Sequence, residues 1–417
     1  MKYSIVTFGC RVNQADSFQI EEQLIASGGV AAGTRDADLV VVNTCSVTSS
    51  ADQGTRQIVR KISRENPAAR IVVTGCYATR RPDEIAALRG VVQVVPNDRK
   101  DQLAHAIGLT TAQRFGDGDG ACGAAIAPGL AGRTAFTLRV QTGCDQTCSY
   151  CIIPSTRGPG RSRPLCDVLS EIDRVRVAGY REIAITGVHL GSYGCDRADG
   201  VTLLGLLETI ARRAPGVRFR ISSLEPMDCS DAIVDLVAGS SCFAPHFHLP
   251  LQHASDRMLV AMRRPYTLAY YRRLVDRIRE TIPHASIGTD IIVGFPGETE
   301  EDFAVLEAYL RHAPITHVHV FPYSDRPGTA AAELPDRVHG AIVRERAAVV
   351  RAIGRELSRR FHHAQDGSVR PGLTIEDGSL VVTDNYLKVR IPPGLPRNEW
   401  VKVAITGRGD ALVGTLI

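Results

Sequence analysis

Long apolar runs are what this 417-residue chain most plainly lacks: no stretch approaches the roughly 18 residues that span a bilayer, so no membrane-embedded helix is expected. No secretory leader is expected either. The opening MKYSIVTFGC has neither a basic n-region nor an apolar h-region, which predicts a soluble, cytoplasmic protein. Strong charge of one sign is absent: the net +4 tolerates a polyanionic partner without demanding one. There is no low-complexity tract and no long internal repeat. What is present is 44% apolar content, enough over this length for two or three cores, and eleven cysteines. An odd count without a leader excludes a disulfide framework as the main reading and points to metal or redox chemistry.

Three early segments share one form, an apolar β-rich run ending on a cysteine: YSIVTFGC, DLVVVNTC and RIVVTGC. NQADSFQIEEQLIAS and SADQGTRQIVRKISREN lie between them with helical patterning, and a fourth run, VVQVVPN, ends without cysteine. The alternation predicts a parallel-sheet α/β domain over residues 1–112. A Gly-, Ala- and Asp-rich stretch, 113–132, reads as a linker. Residues 133–366 hold six strand-like runs separated by helical stretches, FTLRVQ, EIAITG, VRFRIS, HFHLPL, SIGTDIIVG and HVHVFPY, which predict a partial (β/α) barrel, followed by one long basic helix. From 367 to 417, short alternating runs punctuated by Gly and Pro predict a small antiparallel β-barrel of OB-like kind.

Ligands of open parallel sheets collect at the carboxyl ends of the strands. Cys10, Cys45 and Cys76 all fall there, so three thiols distant in sequence could converge on one metal. Any one of them alone would be read as a small buried hydrophobe; the repeated placement favours the shared site.

GCDQTCSYC places Cys144, Cys148 and Cys151 in a C-x3-C-x2-C loop after the strand FTLRVQT. Three thiolates grip three irons of a cubane cluster and leave the fourth open to a ligand. Zinc sites expect paired C-x2-C half-sites or added histidines, and the two-cluster ferredoxin run ends in Cys-Pro; neither is found here.

The C-x3-C-x-aromatic-C loop resembles the signature of radical S-adenosylmethionine enzymes. Together with FGCRVNQADS, NTCSVTSSAD, TGCYATRRPDEI, ITGVHLGSYG, RISSLEP and DIIVGFPGETEEDF, the chain resembles the methylthiotransferase family over nearly its whole length. The GC-R-V-N form of the first motif is most similar to the branch that acts on N6-threonylcarbamoyladenosine beside the tRNA anticodon. The terminal segment resembles the family's RNA-binding TRAM domain through TDNYLKVRI. Two departures stand out: His253 and Ala254 follow PLQ where Ser-Gly is common, and Thr79 stands where Gln is frequent.

The resemblance implies two 4Fe-4S clusters, one on Cys144, Cys148 and Cys151 and an auxiliary one on Cys10, Cys45 and Cys76. It further implies S-adenosylmethionine as radical source and methyl donor, a tRNA substrate, and an external electron donor such as flavodoxin or ferredoxin. A monomer is expected. Tyr150, Gly187, Ser222, Gln252, Ile292 and Gly294 match cofactor-contact positions; their bland readings are packing, turn glycines and a polar rim. No residue is assigned a catalytic role. Rival readings are methylthiolation of isopentenyladenosine or of a ribosomal-protein aspartate, and a non-catalytic iron–sulfur protein that binds RNA or carries electrons.

Basic residues gather at Arg56, Arg60, Lys61 and Arg64, at Arg157, Arg161 and Arg163, and from Arg344 to Arg360. Solvated helix faces account for most such runs. The Arg157 group is expected to meet tRNA phosphates, because it adjoins the cluster loop. Cys122, Cys166, Cys195, Cys229 and Cys242 lack ligand spacing, and structural roles are expected for them.

Overall fold

The computed structural model describes residues 1–109, 128, 134–213, 216–407 and 411–417. The expected linker and Cys122 fall almost wholly outside these residues.

The N-terminal sheet runs β2-β1-β3-β4-β5, all parallel, from β1 (Lys2–Thr7), β2 (Val30–Ala31), β3 (Leu39–Thr44), β4 (Arg70–Gly75) and β5 (Val91–Val95). Its central strands carry unbroken apolar runs, LVVV in β3 and IVV in β4, because both faces are covered. Val40 and Val42 pack with Val59 and Ile62 of the helix Ser49–Glu65, whereas Leu39 and Val41 pack with Ile20 and Leu24 of the helix Arg11–Ala26. Thr48 caps the former helix by accepting from the Ala51 amide.

Six parallel strands follow: β6 (Phe136–Arg139), β9 (Glu182–Thr186), β10 (Arg218–Ile221), β11 (His246–His248), β12 (Ser286–Val293) and β13 (His317–Pro322). They form two three-stranded sheets, β10-β9-β6 and β11-β12-β13, joined by a parallel bridge between Phe219 and Phe243. This is the partial barrel the alternation predicted. Between β6 and β9, β7 (Gln141–Thr142) pairs antiparallel with β8 (Arg161–Ser162) and pins both ends of the intervening cysteine loop. The 24-residue helix Gly340–His363 lies back against β13.

The last 50 residues close a barrel in the order β14-β15-β16-β18-β17, from β14 (Val369–Ile375), β15 (Leu380–Thr383), β16 (Lys388–Arg390), β17 (Trp400–Ile405) and β18 (Leu412–Leu416). The expected barrel is found, but it is not wholly antiparallel: β16 and β18 run parallel, because β17 reverses the chain between them and pairs with β14 and β18.

Two polar seams tie the parts together. Asp16, fully enclosed, accepts from Lys100 at 2.9 Å within its own domain and from Arg157 at 2.9 Å and Arg139 at 2.5 Å across the boundary. At the other seam, Tyr386 in the β15–β16 turn lies between Arg11, which donates to its hydroxyl at 2.9 Å, Arg220, whose guanidinium stands 4.6 Å from its ring, and His246 at 4.8 Å between centroids.

Candidate metal and cofactor centre

Strands β1, β3 and β4 are neighbours, so the chain leaving each of them delivers its cysteine to one corner of the sheet. Cys45 and Cys76 follow their strands directly and are buried; Cys10 lies three residues past β1 and is exposed. Gly9 approaches so closely that a Cβ there would lie 2.7 Å from Cys45 Sγ, which, with its φ of +92°, excludes other residues. Burial pushes the Cys45 thiol up to about 12, and the sulfurs of Cys10 and Cys76 add to the shift. Three converging thiols that repel one another as thiolates fit a cation that would neutralise them.

The second trio lies on the loop between β7 and β8. Burial pushes the Cys151 thiol up to about 12, and the charges of Cys148 and Cys144, felt at its sulfur, add to the shift. Arg264 donates to Cys148 Sγ at 2.9 Å and its other terminal nitrogen pairs with Glu225. His189 reaches both Asp228, at 2.8 Å, and Cys144; burial opposes its charge, but these two partners outweigh burial and raise it to about 9. A guanidinium donor on the Cys148 sulfur suits a thiolate ligand of an iron–sulfur cluster.

The helices that flank the two trios pack on each other. The helix Cys76–Arg80 packs on the helix Ile153–Arg157, which begins two residues after Cys151. Asn97 spans them, its amide 3.7 Å from Cys76 Sγ and donating to Thr156 O at 2.8 Å. Thr79 holds Asn97 in place by accepting from its backbone amide at 2.9 Å, so the unusual threonine is a brace, not a ligand.

Of the expected cofactor contacts, Tyr150 and Ile292 are brought into one apolar cluster with Met258, Met262 and Phe295. Ser222 is buried and its hydroxyl has no hydrogen-bond partner among the described residues. Gln252 sits at the end of the β11 segment with φ +69°, bridged to Ile291; a side-chain-bearing residue held there is strained, as functional positions often are. Gly187 follows β9, and the next two amides, Val188 and His189, donate to Gln141 Oε1 at 3.0 and 2.9 Å. Gly294 is different: its amide donates to Glu298 at 2.6 Å, and a Cβ there would lie 2.4 Å from Val343, so it makes room for the long helix.

One expectation is corrected. Arg157 is 5% exposed, donating to Asp16, to Asn13 and to Thr142, so it is spent on the domain seam and does not face phosphates. Arg163 pairs with Glu171. Arg161, between them in sequence, is exposed, and on the late helix the exposed Arg351, Arg355 and Arg359 line a cleft of about 440 Å³. Sequence reasoning also missed Arg264, His189, Gln141 and Asn97. His253 is wholly buried; its Nδ1 accepts from the Ser255 amide at 2.9 Å, and its Nε2 has no hydrogen-bond partner among the described residues. Cys229 belongs to the apolar core, Cys242 lies 3.1 Å from Ser240 Oγ, and Cys166 and Cys195 are exposed.

Comparison with known proteins follows the same division. The uncharacterized protein family UPF0004 matches residues 2–96, and the Radical SAM superfamily matches residues 138–310. The threonylcarbamoyladenosine tRNA methylthiotransferase MtaB of Aquifex aeolicus is 34% identical over 400 residues, covering 94% of this chain and 96% of its own. MtaB of Bacillus subtilis is also 34% identical, covering 92% and 88%. Among solved structures, the radical S-adenosylmethionine methyltransferase TsrM of Kitasatospora setae superposes with a TM-score of 0.58 at 16% identity, covering 79% of this chain and 76% of that one, a likeness of fold.

Proposed function

The chain belongs to the radical S-adenosylmethionine methylthiotransferase family, and we propose that it replaces the C2 hydrogen of N6-threonylcarbamoyladenosine, beside the tRNA anticodon, with a methylthio group. That C–H bond is neither acidic nor labile, so acid–base side chains have no route to it. The observation that carries the reading is the packing of the helix Cys76–Arg80, which opens on one trio's last cysteine, against the helix Ile153–Arg157, which follows the other trio.

Cys144, Cys148 and Cys151 would hold one 4Fe-4S cluster, and Cys10, Cys45 and Cys76 a second. When bound, these clusters and S-adenosylmethionine supply radical hydrogen abstraction, sulfur and the methyl group. The chain itself positions and shields. Arg264 donates to the sulfur of Cys148, offsetting thiolate charge. Tyr150 and Ile292 offer an apolar wall for adenine, and the partnerless Ser222 hydroxyl and Gln252 offer polar contacts. Gly187 is retained as a backbone contact; Gly294 is assigned to packing.

For tRNA, the arginines at 351, 355 and 359 recur at one-turn spacing beside an open cleft, a geometry suited to backbone phosphates. A low-potential flavodoxin or ferredoxin is proposed as electron donor, and a cytoplasmic monomer as the working form. No described helix is long and apolar enough to cross a membrane.

The test is nucleoside mass spectrometry of tRNA from cells with and without the protein. Loss of the methylthio group from threonylcarbamoyladenosine alone is expected; unchanged tRNA with an altered ribosomal protein rejects the assignment.

A further inference from the structure

Away from both cysteine trios, three adjacent parallel strands place a cluster of imidazoles on the inner face of the partial barrel. The register sets His248 of β11 beside Gly288 of β12 beside His317 of β13, and in the next row Asp290 beside His319. Residues two apart on a strand share a face. Phe247, Ile287 and Ile291 pack outward into the helix-covered core, so the histidines and Asp290 face the lumen. Ring nitrogens of His248, His317 and His319 all lie within 4.8 Å of one another.

Their surroundings have the features of a built site. His248 Nε2 lies 3.0 Å from Asp290 Oδ1, and His317 Nδ1 lies 3.0 Å from Thr316 Oγ1. A carboxylate or hydroxyl on one ring nitrogen fixes the ring and leaves the other nitrogen for a ligand. The middle strand makes space: a Cβ at position 288 would lie 2.1 Å from His317 Nε2, so only glycine lets that ring lie across β12. His246, on the same strand as His248, is not part of the group, because it is engaged with Tyr386.

We propose that His248, His317 and His319 bind one divalent transition metal of the zinc class, with Asp290 orienting His248. Three imidazoles exclude the oxygen-seeking ions magnesium and calcium, and favour zinc and its neighbours. Metal–nitrogen bonds of about 2.0 Å would draw the ring nitrogens closer by small side-chain rotations. Three protein ligands leave a fourth position for an exogenous donor. The site lies roughly 7 Å along β12 from Ile292, two residues beyond Asp290 on the same face, so that donor would occupy the lumen next to the proposed adenine wall. The metal is additional to the iron–sulfur clusters and does not depend on the identity of the modified nucleoside.

The test uses the full chain with its clusters reconstituted, washed with chelator, dialysed against zinc chloride and assayed for zinc per chain, with X-ray absorption at the zinc edge. One zinc per chain is expected, with a nitrogen and oxygen shell near about 2.0 Å and no sulfur near about 2.3 Å. The double substitution H317Q/H319Q is expected to lose the zinc at unchanged iron content, and D290N to weaken its binding about 10- to 100-fold. Absence of zinc in the native chain, a sulfur shell, or equal zinc in native and double-substituted chains would each overturn the proposal; the native spectrum decides even if a variant fails to fold.

Discussion

Arg157 Nη2 and Asp16 Oδ2 meet at 2.9 Å although 141 residues and a domain boundary separate them. Burial works against the Asp16 charge, but Lys100, Arg157 and Arg139 outweigh it and hold the carboxyl well below the usual carboxylate range. D16N leaves two enclosed cations, Lys100 and Arg157, without their counter-charge, while Arg139 keeps Asp101. A loss of about 3–5 kcal/mol is expected, the usual cost of breaking a buried ion pair. Thermal unfolding checks it, and an unchanged midpoint would remove Asp16 from its role at the seam.

Each cysteine trio is expected to fail separately. Replacing Cys144, Cys148 and Cys151 with Ala should remove about half of the reconstituted iron and abolish 5′-deoxyadenosine formation. Replacing Cys10, Cys45 and Cys76 should remove the other half, leave cofactor cleavage measurable, and abolish methylthio product. Full iron retention in either triple variant contradicts the assignment of two clusters.

Arg264 is placed to tune the cofactor-cleaving cluster through Cys148. R264M removes a charged hydrogen bond to a ligand sulfur, so the cluster should become harder to reduce. Redox titration followed by electron paramagnetic resonance is expected to give a more negative potential with unchanged iron content. An unshifted potential assigns Arg264 to packing alone.

His253 gives a pH dependence of known sign. Burial pushes it down to about 4, with the Arg346 and Arg257 charges adding and Asp302 opposing. A histidine depressed in the fold contributes fully above its unfolded value, near about 6.5, and loses that contribution as pH falls toward the folded value. Between about pH 6.5 and 4 the native chain should therefore lose up to about 3 kcal/mol that H253N keeps. Urea midpoints of the two chains across this window test it; parallel curves refute it.

The late-helix arginines should govern salt sensitivity and not chemistry. Changing Arg351, Arg355 and Arg359 together to Gln is expected to lower the slope of log affinity for tRNA against log salt by about 2–3. Cofactor cleavage without tRNA should be untouched. An unaltered slope places the docking face elsewhere.

Much of this was legible because backbone periodicity and metal chemistry leave local marks. Apolar runs broken by helical stretches predicted β1, β3, β4 and all six barrel strands, and the strand-terminal cysteines marked one corner of a sheet. The parallel β16–β18 pair was not legible, because pairing depends on where a third strand returns. Arg157 was misassigned for a similar reason: its partners are distant in sequence, and a buried arginine looks like an exposed one until its counter-charge is found. The available signal was on the partner's helix, where Asn13, Asp16 and Ser17 recur at one-turn spacing and are buried. His189 lies in the ITGVHLGSYG motif, but its role rests on Asp228, 39 residues away.

Tyr386 has a consequence for how the chain could be rearranged. Its ring and hydroxyl are gripped by Arg220 and by Arg11, the residue next to a proposed iron ligand, so the terminal barrel is a keystone and not a detachable handle. Grafting that barrel from a homologue, or trimming it away, would disturb the lip of the first cysteine corner as much as any hold on nucleic acid.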